Sequence, residues 1–174
     1  MKHIYLLLTV MLLTSCSSIR VNYDYEKTTD FNTYKTYNYF TDVNTGLGAI
    51  DSKRLIKSLD EGLQSRGYTR SETPDFLIDI KSTEFQQAQS NNVGVGVGGG
   101  GGNVGGGISI GLPLGQSQIG REIIFDFVDE SNDRLFWQAI SESNYKPNAS
   151  PEKREANFIA LVEKVLGGFP PEVK

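Results

Sequence analysis

The chain has 174 residues, with 21 acidic against 17 basic side chains for a net charge of −4, one Cys and one His. That length suits one domain of ordinary size, and without a basic block nucleic acid has no electrostatic footprint on it. The single His is His3 and the single Cys is Cys16, which excludes His-based nucleophilic triads, Cys-His pairs and zinc sites of His and Cys beyond the first residues.

The N-terminus opens with Lys2 and His3, continues as an apolar run from Ile4 to Leu13 broken only by Tyr5 and Thr9, and ends in the small residues Thr14 and Ser15. A charged start, a short apolar stretch and small residues at a cleavage point read as a secretory signal over residues 1–15. An apolar run of about ten residues is too short to span a bilayer, which takes roughly 20. Leu13-Thr14-Ser15-Cys16 resembles a bacterial lipobox. That resemblance implies cleavage before Cys16 and acylation of its thiol, with more than one acyl chain and hence stable anchoring. Ser17, where an Asp would signal inner-membrane retention in enterobacterial lipoproteins, resembles the default of export to the outer membrane. The expected location is therefore the outer membrane, facing the periplasm. Loss of Lys2 with the signal takes the net charge from −4 to −5. With no second Cys there is no disulfide, so stability must come from a packed core.

In residues 16–30, Ile19, Val21, Tyr23 and Tyr25 alternate, which suits a first strand; an extended tether is the other reading. Phe31 to Phe40 repeats the pattern, with Tyr37 and Tyr39 alternating against Thr36 and Asn38, and predicts a half-buried strand. Asp51 is expected to cap a helix whose stripe is Leu55, Ile56, Leu59 and Leu63, with Gly67 just past its end. From Asp75 to Phe85 a strand is predicted with Phe76, Ile78 and Ile80 on its apolar face and Asp79, Lys81 and Thr83 opposite.

Residues 93–115 carry twelve Gly from Gly94 to Gly115. GxGxxG matches arise there automatically. A dinucleotide site needs its glycines to open a helix, and here Ile108-Ser109-Ile110 follows; a P-loop needs Gly-Lys-Ser/Thr, and no Lys lies between Lys81 and Lys146. No cofactor is implied. Two readings stay open: a flexible linker between strands, and a hairpin with flanks at Val93, Val95, Val97 and Ile108, Ile110, Leu112, Leu114 that reaches lipid or a partner.

Arg121 to Asp129 has the clearest alternation, Ile123, Phe125 and Phe127 against Ile124, Asp126 and Val128. Glu130-Ser131-Asn132-Asp133 is a turn, and Leu135 to Ser143 returns antiparallel with Leu135, Trp137 and Ala139 on one face. Ser150 and Pro151 start a second helix, with Ile159, Val162 and Leu166 as its stripe, widened by Phe158 and Val165. Gly167-Gly168 stops it and Phe169-Pro170-Pro171 closes the domain.

The order of these stretches resembles that of the bacterial lipoproteins catalogued as domain of unknown function 4136. The stretches are Tyr23-Asp24-Tyr25, Asp30-Phe31-Asn32-Thr33-Tyr34-Lys35-Thr36-Tyr37, Arg66-Gly67-Tyr68, Pro74-Asp75-Phe76-Leu77-Ile78, the Gly run, Phe136-Trp137-Gln138-Ala139 and Phe169-Pro170-Pro171. Asn38-Tyr39 departs from the pattern, where a Trp is expected. The resemblance implies a location and a fold but carries no site residues.

The expected architecture is α+β: a two-layer sandwich over residues 31–171, with a mainly antiparallel sheet of about five strands, two helices on one face and the Gly-rich hairpin as an insertion. No catalytic or metal-binding constellation stands out, and Cys16 is the one site residue. The expected role is non-enzymatic, envelope-structural or binding, with the membrane reached through acyl groups on Cys16 and no nucleic-acid partner. The alternatives are an accessory subunit of an envelope transport or assembly complex, with an envelope protein as partner, and, less favoured, a cell-wall hydrolase using carboxylates such as Asp126 and Asp79.

Overall fold

The computed structural model describes residues 19–41, 43–86 and 119–172. Cys16, the signal segment and the Gly-rich stretch 93–115 lie outside the described residues.

The described chain is a mixed α+β structure. Its elements in order are β1 (Arg20–Tyr25), a short 3-10 turn (Phe31–Thr33), β2 (Thr36–Tyr39), α1 (Ala49–Ser65), β3 (Thr69–Arg70), β4 (Phe76–Gln86), β5 (Ile119–Asp129), β6 (Arg134–Tyr145) and α2 (Pro151–Leu166). The strands form one sheet in the order β1-β6-β5-β4-β2-β3. It has six strands where about five are expected. The sixth is β3, two residues long, too short to carry an alternation that sequence could show.

β1 pairs antiparallel with β6, β6 with β5, and β5 with β4. β2 runs parallel to β4 and to β3. The parallel pairing follows from the connection: parallel neighbours need a long crossover, and α1 supplies it between β2 and β4. The first strand is confirmed at Arg20–Tyr25. The stretch 31–40 yields a shorter strand than expected, because the Asp30 carboxylate accepts from the Asn32 backbone N–H at 3.0 Å and turns the chain before β2 begins.

Alternation decides the core. Phe76, Ile78 and Ile80 of β4, and Ile123, Phe125 and Phe127 of β5, are fully buried. Ile78 faces Phe127 across the ladder, and Ile80 faces Phe125. Leu55, Leu59 and Leu63 of α1 join the same cluster with Phe158, Leu161, Val162, Val165 and Leu166 of α2. Each such side chain contributes about 1.5–3 kcal/mol on leaving water. The helices approach closely at Gly62, where an added Cβ would stand 2.7 Å from Leu166 Cδ1. Past the end of α1, Gly67 takes φ +88°, the left-handed turn that favours Gly.

Four local expectations change. Asp51 does not cap α1: Gly48 is the N-cap, and Asp51 lies within the first turn, where its carboxylate is buried. Ile56 is only half-buried at the edge of the α1 stripe. Ile159 is 49% exposed, and Leu161 takes the place in the α2 stripe expected for it. Leu135 is 49% exposed rather than sharing the Trp137 face. The cause is a bulge: Phe127 pairs with Trp137 but Val128 pairs with Leu135, which leaves Phe136 as an extra residue. Consequently Phe136 and Trp137, neighbours in sequence, are both buried. The Ser150 cap is as expected, its hydroxyl accepting from the Lys153 backbone N–H, with Pro151 in the first turn.

Candidate functional site

Asp79 and Asp126 stand directly opposite each other on β4 and β5. Each already has a partner: Lys81 Nζ lies 2.6 Å from Asp79 Oδ2, and Gln138 Nε2 donates to Asp126 Oδ1 at 2.6 Å. Both aspartates are half-buried on the face opposite the aromatic core.

Most polar atoms at the Phe127 end of the sheet are similarly engaged. The Tyr37 and Tyr39 hydroxyls both donate to Asp60 Oδ1, at 2.8 and 2.9 Å. Burial, reinforced by the Asp60 carboxylate, pushes both phenol pKa values well above the ordinary range. Burial raises Tyr34 in the same way, and its hydroxyl donates to Asp129 Oδ2 at 2.8 Å. The Asp75 carboxylate accepts from the backbone N–H groups of Lys35 and Thr36, each at 2.8 Å. Those bonds outweigh its desolvation and hold its pKa below the usual carboxylate value.

The other end of the sheet is different. Asp51 Oδ1 accepts from Arg54 Nη1 at 2.8 Å, and Oδ2 accepts from Arg154 Nη1 at 2.6 Å. Arg121 Nη1 lies 3.9 Å from the same Oδ2, with both side chains under a tenth exposed. Arg121 Nη2 also donates to Glu84 Oε1 at 2.7 Å, across the β4–β5 ladder. The Arg121 guanidinium lies over the Tyr145 ring, 3.5 Å from its centroid, and Arg154 approaches that ring at 5.8 Å. Arg154 is fixed further by Nε donating to the Ala149 carbonyl at 3.3 Å and Nη2 donating to the Pro147 carbonyl. Desolvation works against the Arg154 charge, but the Asp51 carboxylate outweighs it and raises its pKa.

A cavity of about 40 Å³ opens beside this cluster, lined among others by Ile19, Arg121, Ser143, Asn144, Lys146, Arg154 and Asn157. Arg121 Nε is buried and has no hydrogen-bond partner among the described residues. A buried polar group in that state costs stability unless something fills the gap. Beside apolar side chains the lining holds guanidinium, ammonium, amide and hydroxyl groups and one carboxylate, Asp51, which Arg54 and Arg154 already engage, so the donors left over offer recognition of an acceptor.

Sequence reading did not find this cluster, although it contained one signal. Arg121 shares the parity of Ile123, Phe125 and Phe127, so the alternation that buries those side chains buries Arg121 with them. Cys16, the residue singled out from sequence, lies outside the described residues. Ile19, at the rim of the cavity, is three positions later.

Among curated proteins none matches the chain. Solved structures with a similar fold include a PelC dodecamer from Paraburkholderia phytofirmans, at 10% identity and TM-score 0.52, covering 88% of this chain and 99% of that one. A variant of the PelC dodecamer from the same organism matches at 11% identity and TM-score 0.51, with the same coverage of 88% and 99%. A PDZ domain protein from Parabacteroides distasonis matches at 14% identity and TM-score 0.52, covering 94% of this chain but 39% of that one. At these identities the likeness is one of fold. The model of a domain of unknown function (DUF4136) matches residues 21–171, nearly the whole described chain, and the protein belongs to that family.

Proposed function

We propose that the protein is an outer-membrane-anchored periplasmic lipoprotein, held by acyl groups on Cys16, with a non-enzymatic role in binding or envelope structure. The observation that carries this reading is Leu13-Thr14-Ser15-Cys16 at the end of a short apolar run. The fold adds a consequence. β1 begins at Arg20, four residues after Cys16, and four residues reach at most about 14 Å. The domain therefore sits against the bilayer surface, with no room for a tether. In this reading the two helices form one layer over the sheet face that carries Ile78, Phe125 and Ala139. The opposite face, with Asp79, Lys81, Asp126 and Gln138, is left to meet the periplasm or a partner. Labelled palmitate should enter the wild-type protein and not Cys16→Ala. Equal labelling of the two would remove the anchor and with it this reading.

A second reading, as an accessory subunit of an envelope assembly, draws support from the fold shared with a protein that is described as a dodecamer. The Gly-rich segment and the open sheet face would then be its docking surfaces. Crosslinking and pull-down from intact envelopes test it: a stoichiometric partner that is lost on deleting residues 94–107 favours the subunit, and an unchanged partner set favours a self-contained role. A hydrolase built on Asp79 and Asp126 is the weaker candidate, because Lys81 and Gln138 already occupy those carboxylates.

A further inference from the structure

We propose that the cavity beside Arg121 is a binding site for a phosphate group, that of a membrane headgroup or of a soluble phosphate ester. Three observations support it independently. Arg121 is 92% buried at its side chain, lines the cavity and keeps an unpaired Nε. Its Nη2 donates to Glu84 Oε1 and its Nη1 lies 3.9 Å from Asp51 Oδ2, so Nε is the donor these partners leave over.

The charge is unbalanced in the same direction. Arg54, Arg121, Arg154 and Lys146 stand near three carboxylates, Asp51, Glu84 and Glu152, which leaves a surplus of one positive charge. Of the four cations Arg121 is the buried one, and buried charge is costly unless offset, which a bound anion does. Both α1 and α2 begin at this end, with Asp51 and Arg154 in their first turns, so the positive ends of two helix dipoles add to the field.

Size and shape choose the anion. A cavity of about 40 Å³ takes a compact group of a few heavy atoms or about three waters. Guanidinium, ammonium, amide and hydroxyl donors line it from β5, the end of β6 and α2, beside the Asp51 carboxylate of α1, whose two oxygens are already bound by Arg54 and Arg154. Donors from several directions suit a tetrahedral oxyanion with four oxygens, and guanidinium matches phosphate geometry.

The position favours a headgroup as the source. Ile19 lines the cavity, and the three residues from Cys16 to Ile19 reach at most about 11 Å. This preference rests on the anchoring proposed above; the phosphate site itself does not. A lipid-anchored domain whose anion pocket faces the bilayer would be fixed in orientation as well as in location.

The test uses full-length protein in a non-ionic detergent, titrated with inorganic phosphate at constant ionic strength and read by calorimetry and by phosphorus NMR line broadening. Saturable binding is expected, weakened about tenfold by Lys146→Gln, as for the loss of one hydrogen bond to a charged group. Arg121→Met is expected to abolish it. Because Lys146 makes no ion pair among the described residues, Lys146→Gln keeps the fold, and a cooperative melt at the wild-type temperature verifies that. No saturable binding, or equal binding by wild type and both variants, overturns the site and leaves the cavity to water. A second arm compares vesicles of phosphatidylglycerol with inorganic phosphate as the competing ligand. Competition by inorganic phosphate for vesicle binding of Cys16→Ala protein assigns the headgroup source, and phosphate binding without vesicle binding assigns a soluble ester. Cys16→Ala protein lacks the acyl chains in either case, so failure of the anchor and failure of the phosphate site are read separately.

Discussion

The antiparallel strands β5 and β6 span an ionic end and an aromatic one, and the two ends handle buried polar groups in opposite ways. At the aromatic end Phe127 packs against Trp137, Phe169 and Phe76 with ring centroids 4.6, 4.8 and 5.1 Å away. Tyr34 stacks on Phe136 at 4.1 Å. The polar handles of these rings are used: Trp137 Nε1 donates to the Gly168 carbonyl at 3.1 Å, and Tyr37 donates to Asp60. At the ionic end, six or so residues along the same strands, Arg121 keeps a donor unused beside a cavity. Buried polar groups cost free energy unless paired. The aromatic end is therefore optimised for stability, and the ionic end holds a cost that binding would recover.

The largest effect should come from the aromatic end. Phe127→Ala removes a fully buried ring and leaves a void among rigid neighbours, at a cost of about 3–5 kcal/mol. Urea unfolding checks this. A loss below about 1 kcal/mol would mean that the ring cluster is loosely packed and that the contrast between the ends is illusory. Next is Asp51→Ala. The substitution strips three guanidiniums of their shared carboxylate, and breaking a buried pair from one side costs about 3 kcal/mol. It also removes the acidic group from the first turn of α1. Added phosphate should restore part of that loss if the cavity takes an anion, and none if it does not.

Much of the architecture was written in alternation, and the exceptions have physical reasons. Phe76, Ile78 and Ile80, and Ile123, Phe125 and Phe127, fall on the buried face because a strand has period two. The bulge is invisible to that rule. One extra residue at Phe136 shifts the parity, so Leu135 turns outward while Phe136 and Trp137 both turn inward. The helix pattern has a similar limit: Ile159 and Leu161 lie either side of the stripe edge, and Leu161 is the one that is buried. Asp51 looks like a cap because Asp commonly is one, whereas the chain leaves its turn at Gly48 and carries Asp51 inward to Arg154, 103 positions later. No local spacing encodes that meeting. The ionic cluster draws on Asp51, Arg121, Tyr145 and Arg154 from four elements or their ends, and only the topology brings them together. The one legible trace was a charge at Arg121 on an otherwise apolar face.

Arg121→Met is the smallest effect and the most discriminating. If the ionic end existed for stability, removing its most buried cation should cost as much as removing Asp51. Asp51, however, keeps Arg54 and Arg154 as partners, and Glu84 is 48% exposed, so water takes over its hydrogen bond. The substitution also removes the unpaired Nε and its desolvation cost. Stacking on Tyr145 is exchanged for a sulfur–aromatic contact of similar size. The expected change is within about 1 kcal/mol of wild type by urea unfolding, because Asp51 keeps two guanidinium partners and Glu84 turns to water, so neither carboxylate is left buried and unpaired. A loss of about 3 kcal/mol or more would make Arg121 a structural member of the core, paired well enough by Asp51 and Glu84 that no ligand is needed. A near-neutral result, with phosphate binding gone, would separate the two ends of the sheet by purpose: the aromatic end holds the fold together, and the guanidinium at the other end is kept for what it binds.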